Sequence, residues 1–247
     1  MDALIAAIIT AAGSSTRMGG TKKEYLPITS PKESANGTEG AASNTGGPVL
    51  TVLGAAVSVF AGSPRIGLIV ITVPPNADDG EYAARQALPE HLLGRERPVI
   101  VFVPGGSSRR ISVHHALSTL AGFAPDYVLI HDGARPWVTP ALVDRVIDAV
   151  IVYDAVIPAL SMQETPKETA DGFVRRHLKR ASIAAAQTPQ AFAFKPLLAA
   201  HEKAADAELG GREYTDDAEI WGEFVGAVAV VEGERANRKI TFPEDVL

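Results

Sequence analysis

A doubly wound α/β fold, with a mostly parallel sheet and a protruding β-arm, is predicted by three features of this sequence. Short apolar runs recur along the chain, at 4–10, 67–73, 99–103, 127–131, 154–160 and 226–232. They are apolar almost throughout rather than alternating, which means burial on both faces, as in a parallel sheet covered by helices. Segments of helical period separate them, and alternation of the two element types gives layers of helices on a central sheet.

The first run, "LIAAIIT" (4–10), opens with Asp2 close by and has no basic segment before it. It is too short to span a bilayer and is predicted to be a buried first strand rather than a leader. The turn that follows, "AAGSSTRMGGTKKEYLP" (11–27), is rich in glycine and hydroxyls, and carries Arg17, Lys22 and Lys23. It matches neither the Gly-x-x-x-x-Gly-Lys-Ser/Thr loop nor Gly-x-Gly-x-x-Gly. Residues 29–47, "TSPKESANGTEGAASNTGG", are small and polar and cannot bury enough surface to offset their ordering entropy. They are predicted to form a flexible surface insertion. "GLIVITV" (67–73) and "VIVFV" (99–103) read as the next strands, the latter running into "PGGSSRRIS". Arg109 and Arg110 fall at different phases of the helix expected there, so at most one faces a ligand. "YVLIH" (127–131) is followed by Asp132 and Arg135 in "HDGARP". In "TPALVDRVIDAV" (139–150), Thr139 is an N-cap and Pro140 suits the first helical position. Val143, Val146, Ile147 and Val150 then form an i, i+3, i+4, i+7 apolar stripe. After "DAVIPAL" (154–160) comes the polar stretch 161–182, read as a hairpin arm turning at Asp171-Gly172. "GAVAVVE" (226–232) is the last strand.

Composition narrows the function. The chain has 247 residues, enough for one large α/β domain spanning 1–247. Its formal net charge of −6 argues against a nucleic-acid partner. No run is long enough for a membrane span, and the absence of cysteine rules out disulfides and thiolate metal sites. A cytoplasmic setting is expected. His114 and His115 open no metal spacing and are read as structural.

Ligands of open α/β sheets bind at the carboxyl ends of the strands. The loops at those ends combine glycines (Gly13, Gly105, Gly106), cations (Arg17, Lys23, Arg109, Arg135) and one carboxylate, Asp132. Each alone is a turn glycine or a solvated charge, but their clustering on one sheet edge suits a phosphate-bearing substrate with a divalent metal.

Six blocks in order, "AAGSSTRM…KKEYLP", "PGGSSRRISV", "HDGARP", "QTPQAF", "YTDDA" and "EGERANRKITFPEDV", resemble segments of the 2-C-methyl-D-erythritol 4-phosphate cytidylyltransferase family. The resemblance implies a Rossmann-like nucleotidyltransferase fold and transfer of CMP from CTP to a polyol phosphate, with Mg2+ or another divalent cation. It implies that the first loop, with Ala11, Ala12 and Gly13, wraps the triphosphate. Arg17 and Lys23 match the cations that stabilise the transition state; Lys23 is chosen over Lys22 because it directly precedes "EYL". Gly106, Ser107 and Ser112 fall where the family recognises cytosine, with Arg109 beside them, and Asp132 where it meets ribose and metal. Arg180 and Lys239 match the pair that positions the acceptor phosphate, and Thr165, Arg135 and Thr215 match further polyol-phosphate contacts. Thr188 is counted with the substrate-binding residues. In the family the arm is exchanged between two subunits, implying a homodimer in which Arg180 and Thr165 serve the partner's site.

The chain departs from the family pattern in places. Ser107 stands where an acidic residue is usual, and "RASIAAAQTPQ" lacks a Gly-Leu-Trp type stretch. Glu164-Thr165 replaces Asp-Thr with two extra residues before it, residues 29–47 are longer than the usual connection, and the sequence stops at Leu247 before a last helix. Ribitol 5-phosphate cytidylyltransferases share much of the pattern. A uridylyl- or guanylyltransferase of sugar 1-phosphates and a non-catalytic nucleotide-binding module are the remaining alternatives.

Overall fold

The computed structural model describes residues 3–13, 15, 18–28, 50–75, 77–209 and 212–246. Arg17 and the stretch 29–47 lie outside the described residues. Ten strands and six α-helices are described. The strands β1 (Ile5–Thr10), β2 (Ile66–Val73), β3 (Val99–Pro104) and β4 (Tyr127–Asp132) are mutually parallel, with β1 between β2 and β4. Strands β5 (Ala155–Ser161) and β10 (Ala229–Glu232) form a second parallel pair. The six apolar runs therefore all become strands.

The sheet is mostly parallel, as the apolar runs predict, with two antiparallel strands that those runs did not mark. Strand β9 (Gln190–Ala193) lies antiparallel between β4 and β5, and β8 (Ala184–Ala186) pairs antiparallel with β5. The full order is β10-β5-β9-β4-β1-β2-β3, with β8 beside β5. Four residues of β9 give too short a pattern to read as a strand alone. Two residues suffice to anchor it: Ala191 and Phe192 are fully buried, and the Phe192 ring tilts against Trp221 at 5.5 Å between centroids.

Strand β1 shows why the sheet is covered on both faces. Its alternate residues point to opposite sides. Ile5, Ala7 and Ile9 join one apolar cluster, together with residues of α1 (Val52–Gly62), α2 (Ala77–Gln86) and α4 (Pro140–Tyr153). Ala6 and Ile8 join the other, with α3 (Arg109–Leu120), α5 (Phe194–Leu209) and α6 (Asp217–Phe224). Helix α4 follows its sequence signals: the Thr139 side chain accepts from the Leu142 N–H, Pro140 opens the helix, and Val143, Val146, Ile147 and Val150 are buried.

The arm is a two-stranded hairpin, β6 (Lys167–Ala170) with β7 (Phe173–His177). Asp171 and Gly172 both adopt positive φ, 53° and 79°, the geometry of a tight two-residue hairpin turn. Every residue of both strands is exposed, including Phe173 and Val174. Among the described residues no helix is long and apolar enough to cross a membrane.

Because Phe192 fills the contact between β9 and α6, Phe192→Ala should cost about 3–5 kcal/mol of stability. Urea denaturation of that variant checks this, and a loss below about 1 kcal/mol would mean that β9 is not a core strand.

Candidate active site at the carboxyl edge of the sheet

The carboxyl ends of β1, β3 and β4 open into a cleft of about 510 Å³. Its floor is made by two glycine turns. A Cβ on Gly105 would collide with Ala12 and come within 2.9 Å of Ser112 Oγ, and one on Gly106 would collide with Ile111. Only glycine lets this turn lie so close to the first loop and to the start of α3. Ser112 ties the turn down: its Oγ accepts the Gly106 N–H at 3.0 Å and donates to the Ser108 carbonyl at 2.9 Å. Ser108 itself caps α3 by accepting from the Ile111 N–H.

The two lysines of the first loop divide the work. The Lys22 ammonium turns back onto the loop, donating to the carbonyls of Ala11 and Gly13, and burial lowers its pKa. Lys23 lines the cleft, is buried, and donates to the Ile240 carbonyl at 2.8 Å. Glu24 also lines the cleft and accepts from Ser15 Oγ, a contact with no signal in the sequence pattern.

Asp132 occupies the centre. Its carboxylate lies 2.9 Å from Lys239 Nζ, 3.4 Å from Arg135 Nε and 3.7 Å from Arg109 Nε. Burial alone would raise its pKa, but Lys239, Arg109 and Arg135 outweigh that and hold it well below the usual carboxylate range. Beneath it, Thr188 Oγ1 accepts the Asp132 N–H at 3.1 Å and meets His131 Nδ1 at 3.0 Å. His131 Nε2 lies 3.2 Å from the Arg135 carbonyl. Burial pushes the His131 pKa down to about 4. Neutral His131 can then accept from the Thr188 hydroxyl at Nδ1 and donate from Nε2, which satisfies all three groups.

The segment after β10 closes one side. The Gln187 amide donates to the carbonyls of Glu234 and Asn237 and accepts the Glu234 N–H. The Asn237 amide donates to the Thr188 carbonyl, and Arg135 Nη1 donates to the Asn237 carbonyl at 2.8 Å. These contacts, all on buried or half-buried side chains, place Lys239 over Asp132.

Ala12, Gly13, Lys23 and Lys239 thus line the same cleft as Gly106, Ser107, Arg109, Ser112 and Asp132. Ala11, Arg135 and Thr188 do not line it but support it from behind. Of the arginine pair, Arg109 faces the cleft and Arg110 is buried elsewhere. Thr165 and Arg180 are exposed on the arm, where Arg180 Nη1 donates to the Gln163 carbonyl, and they are not brought to this cleft. Thr215 is bound to Glu219 at the start of α6. Asp217 has no place in the sequence-predicted set, yet it pairs with Arg109 at 2.8 Å from full burial.

A family model described as 2-C-methyl-D-erythritol 4-phosphate cytidylyltransferase (IspD) matches residues 45–247. The chain belongs to that family. Two relatives of this cytidylyltransferase family are bifunctional IspD/IspF enzymes. The one from Nitrobacter winogradskyi is 40% identical over 243 residues, covering 97% of this chain and 53% of that protein. The one from Rhodospirillum rubrum is 38% identical over 240 residues, covering 97% and 54%. The chain spans about half the length of such curated relatives. Among solved structures, 4-diphosphocytidyl-2C-methyl-D-erythritol synthase from Anaerococcus prevotii superposes with a TM-score of 0.75 at 28% identity, covering 99% of this chain and 93% of that one.

His131 gives the site a pH-dependent stability. Its folded pKa of about 4 lies below the ordinary 6.5, so between these values the unfolded chain binds a proton that the folded chain refuses. Stability from this group is complete above pH 6.5 and is lost on acidification towards pH 4, by about 1.4 kcal/mol per unit at most. Denaturation at about pH 7 and about pH 5 should show a steeper loss for the wild type than for His131→Asn, which cannot titrate. Equal losses in the two proteins would refute the buried neutral imidazole.

Proposed function

We propose that this chain transfers CMP from CTP to 2-C-methyl-D-erythritol 4-phosphate, releasing pyrophosphate, as a single nucleotidyltransferase domain spanning residues 1–247 in a cytosolic setting. The observation that carries this reading is the convergence of Lys23, Arg109 and Lys239 around Asp132, in a cleft floored by the Gly13 and Gly106 turns. Membership of the cytidylyltransferase family and the names of its relatives support the choice of nucleotide and acceptor.

The chemistry explains the inventory. The acceptor's phosphate monoester oxygen attacks the α-phosphorus of CTP, and pyrophosphate leaves. That oxygen is already anionic at neutral pH, since its second pKa is about 6, so no general base is needed. The obstacle is the approach of two anions, which at about 4 Å repel by ~4 kcal/mol per charge pair at an effective dielectric of 20. Lys23 and Arg17 oppose that repulsion on the nucleotide side and absorb the charge that builds on the transferring phosphorus and leaving group. Lys239 and Arg180 bring the acceptor phosphate into line. The glycine turns bring Ala12, Gly13 and Gly106 backbone close to the nucleotide, with Ser107 and Ser112 on the base side.

A divalent cation fits this donor set. Among the described residues no group of three or more histidines, aspartates or glutamates could hold a metal alone. Asp132 is a carboxylate kept ionised, and Mg2+ is commonly held by one or two carboxylates plus substrate phosphates. When bound there, it would neutralise part of the triphosphate charge.

The arm is proposed to act in a second copy of the chain. Its exposed Phe173 and Val174 support a contact surface, and Thr165 and Arg180 reach no cleft residue within one chain. In a homodimer they would complete the acceptor side of the partner's cleft.

Pyrophosphate release from CTP and Mg2+ should depend on methylerythritol 4-phosphate. Turnover with ribitol 5-phosphate alone would move the reading to that acceptor. Lys23→Ala and Arg17→Ala should lower kcat by roughly a hundredfold or more; near wild-type kcat in either would remove its transition-state role. Arg180→Ala should chiefly raise KM for the acceptor. If the arm works in trans, mixing Arg180→Ala with Lys23→Ala protein should restore turnover at low acceptor concentration that neither shows alone, and no restoration would place Arg180 in its own chain's site.

A further inference from the structure

Behind the cleft, buried polar side chains that the proposed reaction does not use lead to Arg109. Arg109 is the first residue of α3 and stands at the helix's positive end, an unfavourable place for a cation. Two carboxylates compete for it. Its Nη1 lies 2.8 Å from Asp217 Oδ2, and its Nε 3.7 Å from Asp132 Oδ1. Asp217 is fully buried and opens α6, whose N-terminal dipole favours its charge. His201 of α5, also fully buried, places Nε2 3.1 Å from Asp217 Oδ1. A carboxylate only accepts, so Nε2 carries the proton and donates it. The opposite ring nitrogen, Nδ1, is buried without a hydrogen-bond partner.

We propose that Asp217, oriented by His201, is a positioning residue that holds the Arg109 guanidinium at a fixed place in the nucleotide cleft and keeps it from collapsing onto Asp132. The proposal rests on the reading of the cleft as a nucleotide site. Burying a carboxylate is costly unless it is paired, and a well-packed apolar substitute usually serves stability as well or better. The arrangement is therefore explained by what it does for Arg109. With Asp217 in place, one edge of the guanidinium is tied and the remainder faces the cleft, where Arg109 is 28% exposed in its side chain. Without it, the nearest carboxylate is Asp132, already in contact with Lys239 and Arg135. Arg109 would then neutralise the one carboxylate at the centre of the site.

The test is a double-mutant cycle on CTP affinity, read by calorimetry in the presence of Mg2+. Asp217→Asn should weaken CTP binding by about tenfold in the wild-type background and by less than about twofold in the Arg109→Ala background. The steady-state KM for the acceptor should move by less than about twofold in Asp217→Asn, since the relay ends on the nucleotide side. CTP affinity unchanged by Asp217→Asn, or lowered equally in both backgrounds, overturns the proposal. His201 supplies an independent arm should Asp217→Asn not fold: His201→Gln keeps a donor and should retain CTP affinity, whereas His201→Leu should lose it. Equal affinity in those two variants also overturns it. Failure of the wild-type protein to bind CTP at all would instead remove the nucleotide reading on which the relay stands.

Discussion

Everything at the carboxyl edge of the sheet is organised by one buried negative charge, the Asp132 carboxylate. A charge taken out of water must be paired or neutralised, and full burial would ordinarily push a carboxyl towards its neutral form. Asp132 stays ionised because three cations reach it from three parts of the chain: Arg109 from the start of α3, Arg135 from its own turn and Lys239 from the segment after β10. That requirement assembles the site. It draws the Gly105-Gly106 turn and the carboxyl-terminal segment onto the end of β4, and the space left between them is the cleft.

The cations cannot wander, because each is also held elsewhere. Arg135 donates to the Asn237 carbonyl, Arg109 pairs with Asp217, and Lys239 follows a segment clamped by Gln187 and Asn237. Hydrogen bonds of this buried kind contribute modestly when made and cost more when one partner is removed. The mixed topology matters here. Antiparallel β9 between β4 and β5 brings the Gln187-Thr188-Pro189 turn directly beneath Asp132, where Thr188 Oγ1 receives its N–H. A purely parallel sheet would have sent the chain away on a crossover helix and left that amide to water.

Much of this was legible in the sequence where one local rule decided the outcome. Six apolar runs became strands, Thr139 and Pro140 began a helix, and Asp171-Gly172 made the hairpin turn because few residues tolerate two positive φ values in succession. Gly105 and Gly106 stand after β3 because close approach to Ala12, Ser112 and Ile111 leaves no substitute for them. What escaped the sequence was set by long-range contact. Strand β9 is four residues long and owes its place to Phe192 packing on Trp221. Lys23 was set apart from Lys22 only by resemblance, through its place before "EYL"; its contact with a carbonyl 217 positions away was not legible. Asp217 was passed over inside the "YTDDA" block, and only folding brings it to Arg109, more than 100 positions earlier.

On the nucleotidyltransferase reading, a cleft that takes a polyanion in a chain of net charge −6 poses an electrostatic problem that pre-pairing solves. Clustered bare cations would repel one another and destabilise the unliganded fold, so Arg109, Arg135 and Lys239 are matched with Asp132 and Asp217, and Lys23 rests on a carbonyl. An incoming anion must therefore compete with groups already in contact. A lone phosphate would have to displace a buried carboxylate from a cation for the gain of a single new contact. A triphosphate can engage Lys23 and Arg109 together and reach the backbone of the glycine turns in the same event. On the nucleotidyltransferase reading, selection for a nucleoside triphosphate over simpler phosphates thus follows from the pairing itself. It needs no repulsive element beyond Asp132, which keeps the site's net charge low until a ligand brings enough of its own.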